Sequence, residues 1–263
     1  MLGLFDRDFS TLTSSEIAQR SAIDDATTGS GKYGKKNCYL DYPKAVRHNM
    51  SLFPNNFMDI ADLKETATLE KQCADFESLI NDSSTKELAI KRFIQDNNYY
   101  HIPASILSSY SFGHHSAYLF KEFKLGTSYI ADYALVGKSS DGYQFVFVEF
   151  ENPYGKVTIA NGDFGETIRK GISQIHDWKR FIDSDYSTIS SEFKKFTSQQ
   201  LANEFHSYDS TRMNYVVVAG RRTDYKDKTY RLRRELEKDN TIKLLHYDNL
   251  LDISREVIGK SSY

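Results

Sequence analysis

The 263-residue sequence predicts an α/β fold, in which a mixed sheet is flanked by helices and preceded by a small N-terminal region. A hairpin between residues 129 and 151 is apolar on both faces of its two arms, which is typical of strands buried between layers of helices. Beyond it, apolar strand-like runs alternate with segments that have a helical period. This alternation indicates an α/β sandwich.

Residues 1–65 form a predicted N-terminal accessory region without strong periodicity. Its segment 26–36 contains Gly-Ser-Gly-Lys-Tyr and invites comparison with a phosphate-binding loop. The comparison fails because Ala26 stands where the first glycine is required, and Tyr33 replaces the hydroxyl residue that holds Mg²⁺. We therefore expect segment 26–36 to be a mobile hairpin or loop.

A helical lead-in over residues 66–98 connects this region to a core domain of residues 99–263. Apolar positions 69, 73, 76, 79 and 80 predict a helix over 66–80. Ser84 and Glu87 have the spacing of a capping box, which predicts a second helix over about 85–96.

Three carboxylates stand at one end of the predicted hairpin. Side chains alternate along a strand, so Glu149 and Glu151 share one face. A turn at residues 139–142 places Asp132 opposite Glu149, whereas a two-residue turn places it opposite Glu151. In either register the Cβ of Asp132 lies about 4.5–5.5 Å from that of a glutamate.

Like charges at this spacing raise a carboxyl pKa unless a cation lies between them. A hard divalent cation, Mg²⁺ or Mn²⁺, relieves the repulsion with oxygen ligands. Acids at strand ends are also often only solvated, and Asn152-Pro153 ends the strand directly after Glu151. The spacing alone leaves a metal site and a solvated strand end both open.

Residues 166–183 predict an amphipathic helix that lies on the sheet. Gly171 in its middle costs about 1 kcal/mol relative to alanine, so we expect it where the helix approaches the strands closely. Lys170 and Gln174 are four residues apart and lie on one flank, which could face the carboxylates. For Gln174 alone, a surface amide is the simpler interpretation.

The remaining core elements are a strand over 215–219, a helix over 230–238, a strand over 242–246 and a closing helix over 248–258. A basic tract from residue 212 to 238 holds nine Lys or Arg against four Asp or Glu, which suits contacts with phosphates. The alternative is a solvated helix face with Glu–Arg pairs. The expected nucleic-acid contacts are Arg221, Arg222, Lys226 and Lys228.

The composition of the whole chain limits the kinds of partner that the protein can bind. With 34 Lys and Arg against 36 Asp and Glu, the net charge is −2, so a nucleic-acid surface must be local. Two cysteines suggest a reducing compartment, and the sequence has neither a signal peptide nor a membrane-length apolar run. We expect a cytoplasmic protein without membrane association.

Four blocks resemble the C-terminal nuclease domain of the Shedu antiphage-defence proteins and together cover roughly residues 90–255. They are Val-Glu-Phe-Glu-Asn-Pro, Ile-Ser-Gln-Ile-His-Asp-Trp, Val-Val-Val-Ala-Gly-Arg-Arg and His-Tyr-Asp-Asn-Leu-Leu. A strand with Asp, a hairpin, a strand with Glu and a helix with Gln are also similar to the core of PD-(D/E)xK nucleases. The resemblance implies a restriction-endonuclease-like fold.

Carried over by position, the resemblance makes Asp132 the metal-binding aspartate, Glu149 the glutamate of the Glu-x-Lys motif and Gln174 the glutamine of the following helix. Glu122 matches a place where related nucleases often carry an extra metal-binding acid. Its neighbours Lys121 and Lys124 favour the alternative of a solvated helix residue.

Glu151 stands where the motif usually has lysine. A carboxylate cannot orient the attacking water or stabilise the charge of the phosphorane as a lysine does. Glu151 could instead bind a second metal, with the cation supplied by Lys170 or Lys156. Lys170 is favoured because it shares a helix flank with Gln174.

The resemblance thus implies a Mg²⁺- or Mn²⁺-dependent DNA endonuclease in antiphage defence, assembled as a homo-oligomer, plausibly a tetramer. Because position 151 holds an acid, the alternative is a degenerate nuclease fold that binds nucleic acid or a partner without cleavage. A two-carboxylate hydrolase such as a glycosidase is a third class. The basic tract and the single tryptophan, Trp178, argue against a sugar-stacking site.

Overall fold

Five strands form one mixed sheet in a computed structural model, which describes residues 4–28 and 38–263. In chain order and in sheet order they are β1 (Ser116–Leu125), β2 (Tyr129–Ser139), β3 (Gly142–Phe150), β4 (Met213–Val218) and β5 (Ile242–Leu245). The first three pair antiparallel, and β3, β4 and β5 pair parallel. The predicted α/β class with a mixed sheet is confirmed.

Helices cover both faces of this sheet. In the described residues they are α1 (Ser14–Thr28), α2 (Lys44–Met50), α3 (Thr66–Asn81), α4 (Glu87–Asp96), α5 (His101–Ala104), α6 (Glu166–Ser184), α7 (Tyr186–Lys194), α8 (Asp227–Asn240) and α9 (Tyr247–Glu256). The predicted core helices and strands are confirmed within a few residues at each end. In this part of the chain, no helix is both long enough and apolar enough to cross a membrane. Most of the expected loop at 26–36 lies outside the described residues.

The capping box predicted at Ser84 and Glu87 is wrong. Helix α4 begins at Glu87 itself, so this residue occupies the first helical position and not the third. Its backbone N–H donates instead to Asn152 Oδ1 at 3.0 Å, an acceptor that lies 65 positions away in the chain. A contact over such a separation leaves no local signal in the sequence.

The interpretation of Glu122 as a solvated helix residue is wrong for the helix, because residues 116–125 form β1, and right for the exposure of its side chain. The first half of β1 is buried on both faces, and residues 56–58 run along its outer edge. The Met58 N–H donates to Ala117 O at 2.8 Å, and the Leu119 N–H donates to Asn56 O at 2.8 Å. The N-terminal region thereby covers a sheet edge that would otherwise expose its backbone polar groups.

The hairpin adopts the first of the two predicted registers. Lys138 lies opposite Tyr143, and the ladder continues to Tyr133 opposite Val148. As the alternation predicts, Val146 and its same-face neighbours enter one apolar core, while Phe145 and Phe147 enter the other. The carboxylates that follow on β3 are therefore placed by a register that apolar packing fixes on both faces.

Close packing of α6 on the sheet requires a glycine at position 171, as the sequence predicted. A Cβ atom there would lie 2.7 Å from Val217 Cγ1 and 3.2 Å from Glu151 Cγ. The first distance is far below van der Waals contact, and both neighbours are buried. Gly171 therefore lets α6 lie directly over the end of β3.

We expect Gly171→Ala to destabilise the fold by up to about 2 kcal/mol, because overpacking costs about 1–3 kcal/mol and the helix-propensity gain offsets about 1 kcal/mol of it. Urea denaturation measures the change. Ser173→Ala, at an exposed position of the same helix, is the matched control and should change stability by less than about 0.5 kcal/mol. A Gly171→Ala protein as stable as the wild type would contradict the close approach.

Candidate functional site

The acid side chains meet where β2 and β3 separate. The antiparallel ladder ends at Tyr133 and Val148, so Asp132 takes the register position opposite Glu149. Asp132 Oδ2 accepts the backbone N–H of Phe150 at 2.8 Å, and this bond takes the place of the next ladder contact. This hydrogen bond links Asp132 directly to the backbone segment that carries the two glutamates.

Glu149 and Glu151 are buried, with only 4% and 1% of their surfaces exposed. Glu149 lies opposite Val217 of β4, and the Glu151 N–H continues the pairing to Val218 O at 2.8 Å. Within the described residues, Glu149 Oε2 and Glu151 Oε1 are buried without a hydrogen-bond partner. Unpaired carboxylate oxygens are costly to bury, so these two atoms are candidates to bind an ion or a water molecule.

Two lysines from two different helices neutralise part of the charge. Lys91 Nζ donates to Asp132 Oδ1 at 2.9 Å and to Glu87 Oε1 at 2.7 Å. Lys170 Nζ donates to Glu151 Oε2 at 2.9 Å. The complete acid cluster contains four carboxylates and two ammonium groups, which belong to Glu87, Lys91, Asp132, Glu149, Glu151 and Lys170.

The sequence did not reveal Glu87 and Lys91 as members of this acid cluster. Their spacing of four residues on α4 was a visible signal, but it is also that of an ordinary helix-surface ion pair. What brings them to the acids is the bond between the Glu87 N–H and Asn152, which joins the start of α4 to the end of β3. Lys170, by contrast, lies where the sequence placed it.

Burial dominates the electrostatics of the acid cluster. Burial, followed by the charges of Asp132 and Glu151, raises the pKa of Glu149 to about 9. Burial also raises the pKa of Asp132 and of Glu151, although Lys91 opposes it at the first and Lys170 at the second. At neutral pH Glu149 therefore holds a proton.

The donor set fits a hard divalent cation. In the described parts of the chain, no three Asp, Glu, His or Cys side chains form a ready-made metal site. Asp132, Glu149 and Glu151 nevertheless supply hard oxygen ligands of the type that Mg²⁺ and Mn²⁺ prefer, and two of these oxygens are unpaired. Asp132 and Glu151 each have one oxygen bonded to a lysine.

The other predicted site residues lie around this cluster. Glu122 is exposed on β1 at the register position opposite Asp132, with a left-handed backbone (φ 49°). Gln174 is half-buried and lines a hollow of about 500 Å³ together with Lys170. Lys156 is exposed, with its Nζ 3.9 Å from the carboxylate of Glu166. Metal binding by Glu122 and a catalytic role for Gln174 remain predictions.

Arg221 has internal partners that the sequence did not reveal. Only 12% of its side chain is exposed, and it donates to Asp248 at 2.8 and 3.1 Å and to Asn81 Oδ1 at 2.9 Å. Hydrogen bonds to Asp248 raise the pKa of the guanidinium above its ordinary value. The structure gives Arg221 the role of joining β4 to α3 and α9.

The three other predicted nucleic-acid contacts are exposed. Arg222 pairs with Asp252, Lys228 Nζ lies 2.6 Å from Asp163 Oδ1, and Lys226 donates to a backbone carbonyl. Exposed pairs of this kind contribute little to stability, so these cations can exchange partners at low cost. Trp178 is fully buried and cannot offer its ring to a sugar.

The fold is a mixed α/β sheet with a buried acid cluster at the end of its central strand, β3. This cluster is a polar site suited to a cation. The chain matches the family described as Shedu protein SduA, C-terminal, over residues 84–251. This match spans well over half of the chain and includes every member of the acid cluster, so the chain belongs to the Shedu family. No curated protein matches it.

We expect Glu149→Gln to stabilise the metal-free protein increasingly as pH rises. The folded state keeps the Glu149 proton up to pH about 9, whereas the unfolded chain releases it near the ordinary value of 4.5. Rising pH between these values therefore favours unfolding of the wild type, and the glutamine has no proton to lose. The stability difference should grow by about 4 kcal/mol from pH 5 to pH 8.

Urea denaturation in EDTA at pH 5, 6.5 and 8 measures this difference. Glu166→Gln, on the exposed start of α6, is the matched control for the loss of a carboxylate. A stability difference between Glu149→Gln and wild type that does not change with pH would contradict the raised pKa.

Proposed function

We propose that this Shedu-family chain is a metal-dependent DNA endonuclease that acts in antiphage defence. The observation that carries the proposal is the pair of buried carboxylates, Glu149 and Glu151, each with an oxygen that lacks a protein partner. Family membership supports the defence role. The resemblance of the motifs to PD-(D/E)xK nucleases supports phosphodiester hydrolysis as the reaction.

Asp132, Glu149 and Glu151 would hold the metal, Mg²⁺ or Mn²⁺. Such an ion neutralises charge on a scissile phosphate and lowers the pKa of an attacking water. Asp132 is kept in position by the Phe150 N–H, and the glutamates are kept in position by the pairing of β3 with β4. The protein thus supplies oxygen ligands in fixed positions, and burial of the two glutamates limits their contact with water.

Lys170 is the residue best placed to stabilise charge on the phosphate in place of the motif lysine. It bonds to Glu151, the acid at the lysine position, yet 58% of its side chain is exposed. Its ammonium can therefore contact both the site and an incoming anion. Gln174 lies one turn further along α6, beside the same hollow, where it would contact the bound phosphate backbone.

DNA would approach from the end of the sheet where β3 and β4 both terminate. Because these strands are parallel, the residues after β4 lie at the same end as the acid cluster. Arg222, Lys226 and Lys228 are exposed in this segment and would bind phosphates by exchanging their present partners. We also propose, from the family resemblance, that the chain forms a homo-oligomer.

A second candidate is a nuclease fold that binds DNA without cleaving it. Two observations favour it: position 151 holds an acid in place of the motif lysine, and lysine ammonium groups bond to Asp132 and Glu151. Both candidates require DNA binding, and only cleavage separates them.

Incubation of supercoiled plasmid with the purified full chain in Mg²⁺, Mn²⁺ or EDTA tests the proposal. We expect nicking or linearisation with either metal, none in EDTA, and a loss of at least about 100-fold in Glu149→Gln, roughly 3 kcal/mol of transition-state stabilisation. Glu166→Gln should cleave as the wild type does, because its carboxylate is exposed and outside the acid cluster.

Gel-shift assays on the same proteins distinguish the outcomes. Normal DNA binding without cleavage in either metal would overturn the nuclease and favour the second candidate. Equal cleavage by wild type and Glu149→Gln would remove this carboxylate from the site. A protein that neither binds nor cleaves DNA would contradict both candidates.

A further inference from the structure

Lys91 is the most constrained cation of the acid cluster. Its ammonium contacts two carboxylates, Asp132 at 2.9 Å and Glu87 at 2.7 Å, and only 28% of the side chain is exposed. Held between two carboxylates, the ammonium places a positive charge directly beside Asp132.

Lys170 differs from Lys91 in its surroundings. Its side chain is 58% exposed, it has one close carboxylate, Glu151 at 2.9 Å, and Glu87 lies further away at 3.8 Å. The Lys170 ammonium is therefore open to solvent on one side, although its buried partner Glu151 would lose its ion pair if Lys170 moved away. Lys91 is instead held from both sides by partly buried partners.

A divalent cation and the Lys91 ammonium compete for the same oxygen. Asp132 Oδ1 accepts from Lys91, and Asp132 Oδ2 is taken by the Phe150 N–H. A dication bound to Oδ1 would stand within a few ångströms of the ammonium, where repulsion in a partly buried site is strong.

We propose that Lys91 sets the metal affinity of the acid cluster, and that a divalent metal loads by displacing the Lys91 ammonium from Asp132. This inference rests on the proposed metal-dependent function and adds a positioning residue to it. Displacement changes no covalent bond and leaves the ammonium protonated. Lys91 thus keeps the acid cluster neutralised and folded without metal, and it raises the metal concentration that loading requires.

Glu87 can bind the displaced ammonium. It lies one helical turn before Lys91 on α4, and their 2.7 Å contact does not involve Asp132. The bond from the Glu87 N–H to Asn152 holds this part of α4 against the end of β3. After the exchange, Lys91 remains at the edge of the site and is not released to solvent.

Titration of the full chain with Mn²⁺ at pH 7.5, followed by the electron paramagnetic resonance signal of free Mn²⁺, tests the inference without any cleavage assay. We expect Lys91→Met to bind Mn²⁺ at least about tenfold more tightly than wild type, because a competing charge is gone. Lys91→Arg keeps the charge and should stay within about threefold of wild type.

Arg92→Met is the matched control. It removes an exposed cation from the same helix, outside the acid cluster, and should change the Mn²⁺ affinity by no more than about threefold. A merely structural role for Lys91 predicts weaker binding in Lys91→Met, since a loosened site loses affinity. If Lys91→Met does not fold in EDTA by circular dichroism, Lys91→Gln is the substitute, with the same expectation.

Three results would overturn the inference, and they separate it from the proposed function. Equal or weaker Mn²⁺ binding by Lys91→Met, with wild-type binding that Asp132→Asn abolishes, would refute the role of Lys91 and keep the metal site. An equal gain in Arg92→Met would refute a specific competition by Lys91. Lack of Mn²⁺ binding by wild type and all variants would overturn both the inference and the metal site.

Discussion

Repulsion between buried carboxylates is the constraint on which the site depends. Glu149 and Glu151 enter the space under α6 from one strand, and Asp132 reaches it from the neighbouring strand. Each ionised carboxylate costs several kcal/mol to bury unless it is paired. A proton on Glu149 and lysine ion pairs at Asp132 and Glu151 lower this cost. A metal ion would replace part of this arrangement.

The sheet supplies the geometry that brings the acids together. β3 pairs antiparallel with β2 on one side and parallel with β4 on the other, so it is the strand where the two halves of the sheet meet. The hairpin ladder stops one residue before Asp132, while the pairing with β4 continues past Glu149. The cleft between the separating strands holds the carboxylates. Gly171 and Asn152 then bring α6 and α4 against that cleft.

Local and periodic features were predictable from the sequence. The alternation of apolar residues gave the faces of β3, and the turn signals left two registers, of which the structure adopts the one that places Asp132 opposite Glu149. The glycine in an otherwise regular helix predicted the close approach of α6. Each of these depends on residues near one another in the chain, where spacing directly determines geometry.

Features that depend on distant contacts were missed. β1 is a different case, because it pairs with the next strand, β2, and was missed since Lys121, Glu122 and Lys124 favoured a solvated helix. Lys91 resembles a surface lysine until Asn152 holds α4 at the acids. Arg221 resembles a phosphate contact, yet its partners come from the ends of α3 and the start of α9. No local pattern records such partners, so only the folded chain reveals them.

The most direct test of the central claim is a crystal structure of the protein soaked in Mn²⁺, with anomalous diffraction to locate the ion. The account predicts an anomalous peak about 2.1 Å from carboxylate oxygens of Asp132, Glu149 and Glu151, with the Lys91 ammonium moved away from Asp132. A saturated crystal with no peak at these residues, and with both lysine ion pairs unchanged, would contradict it.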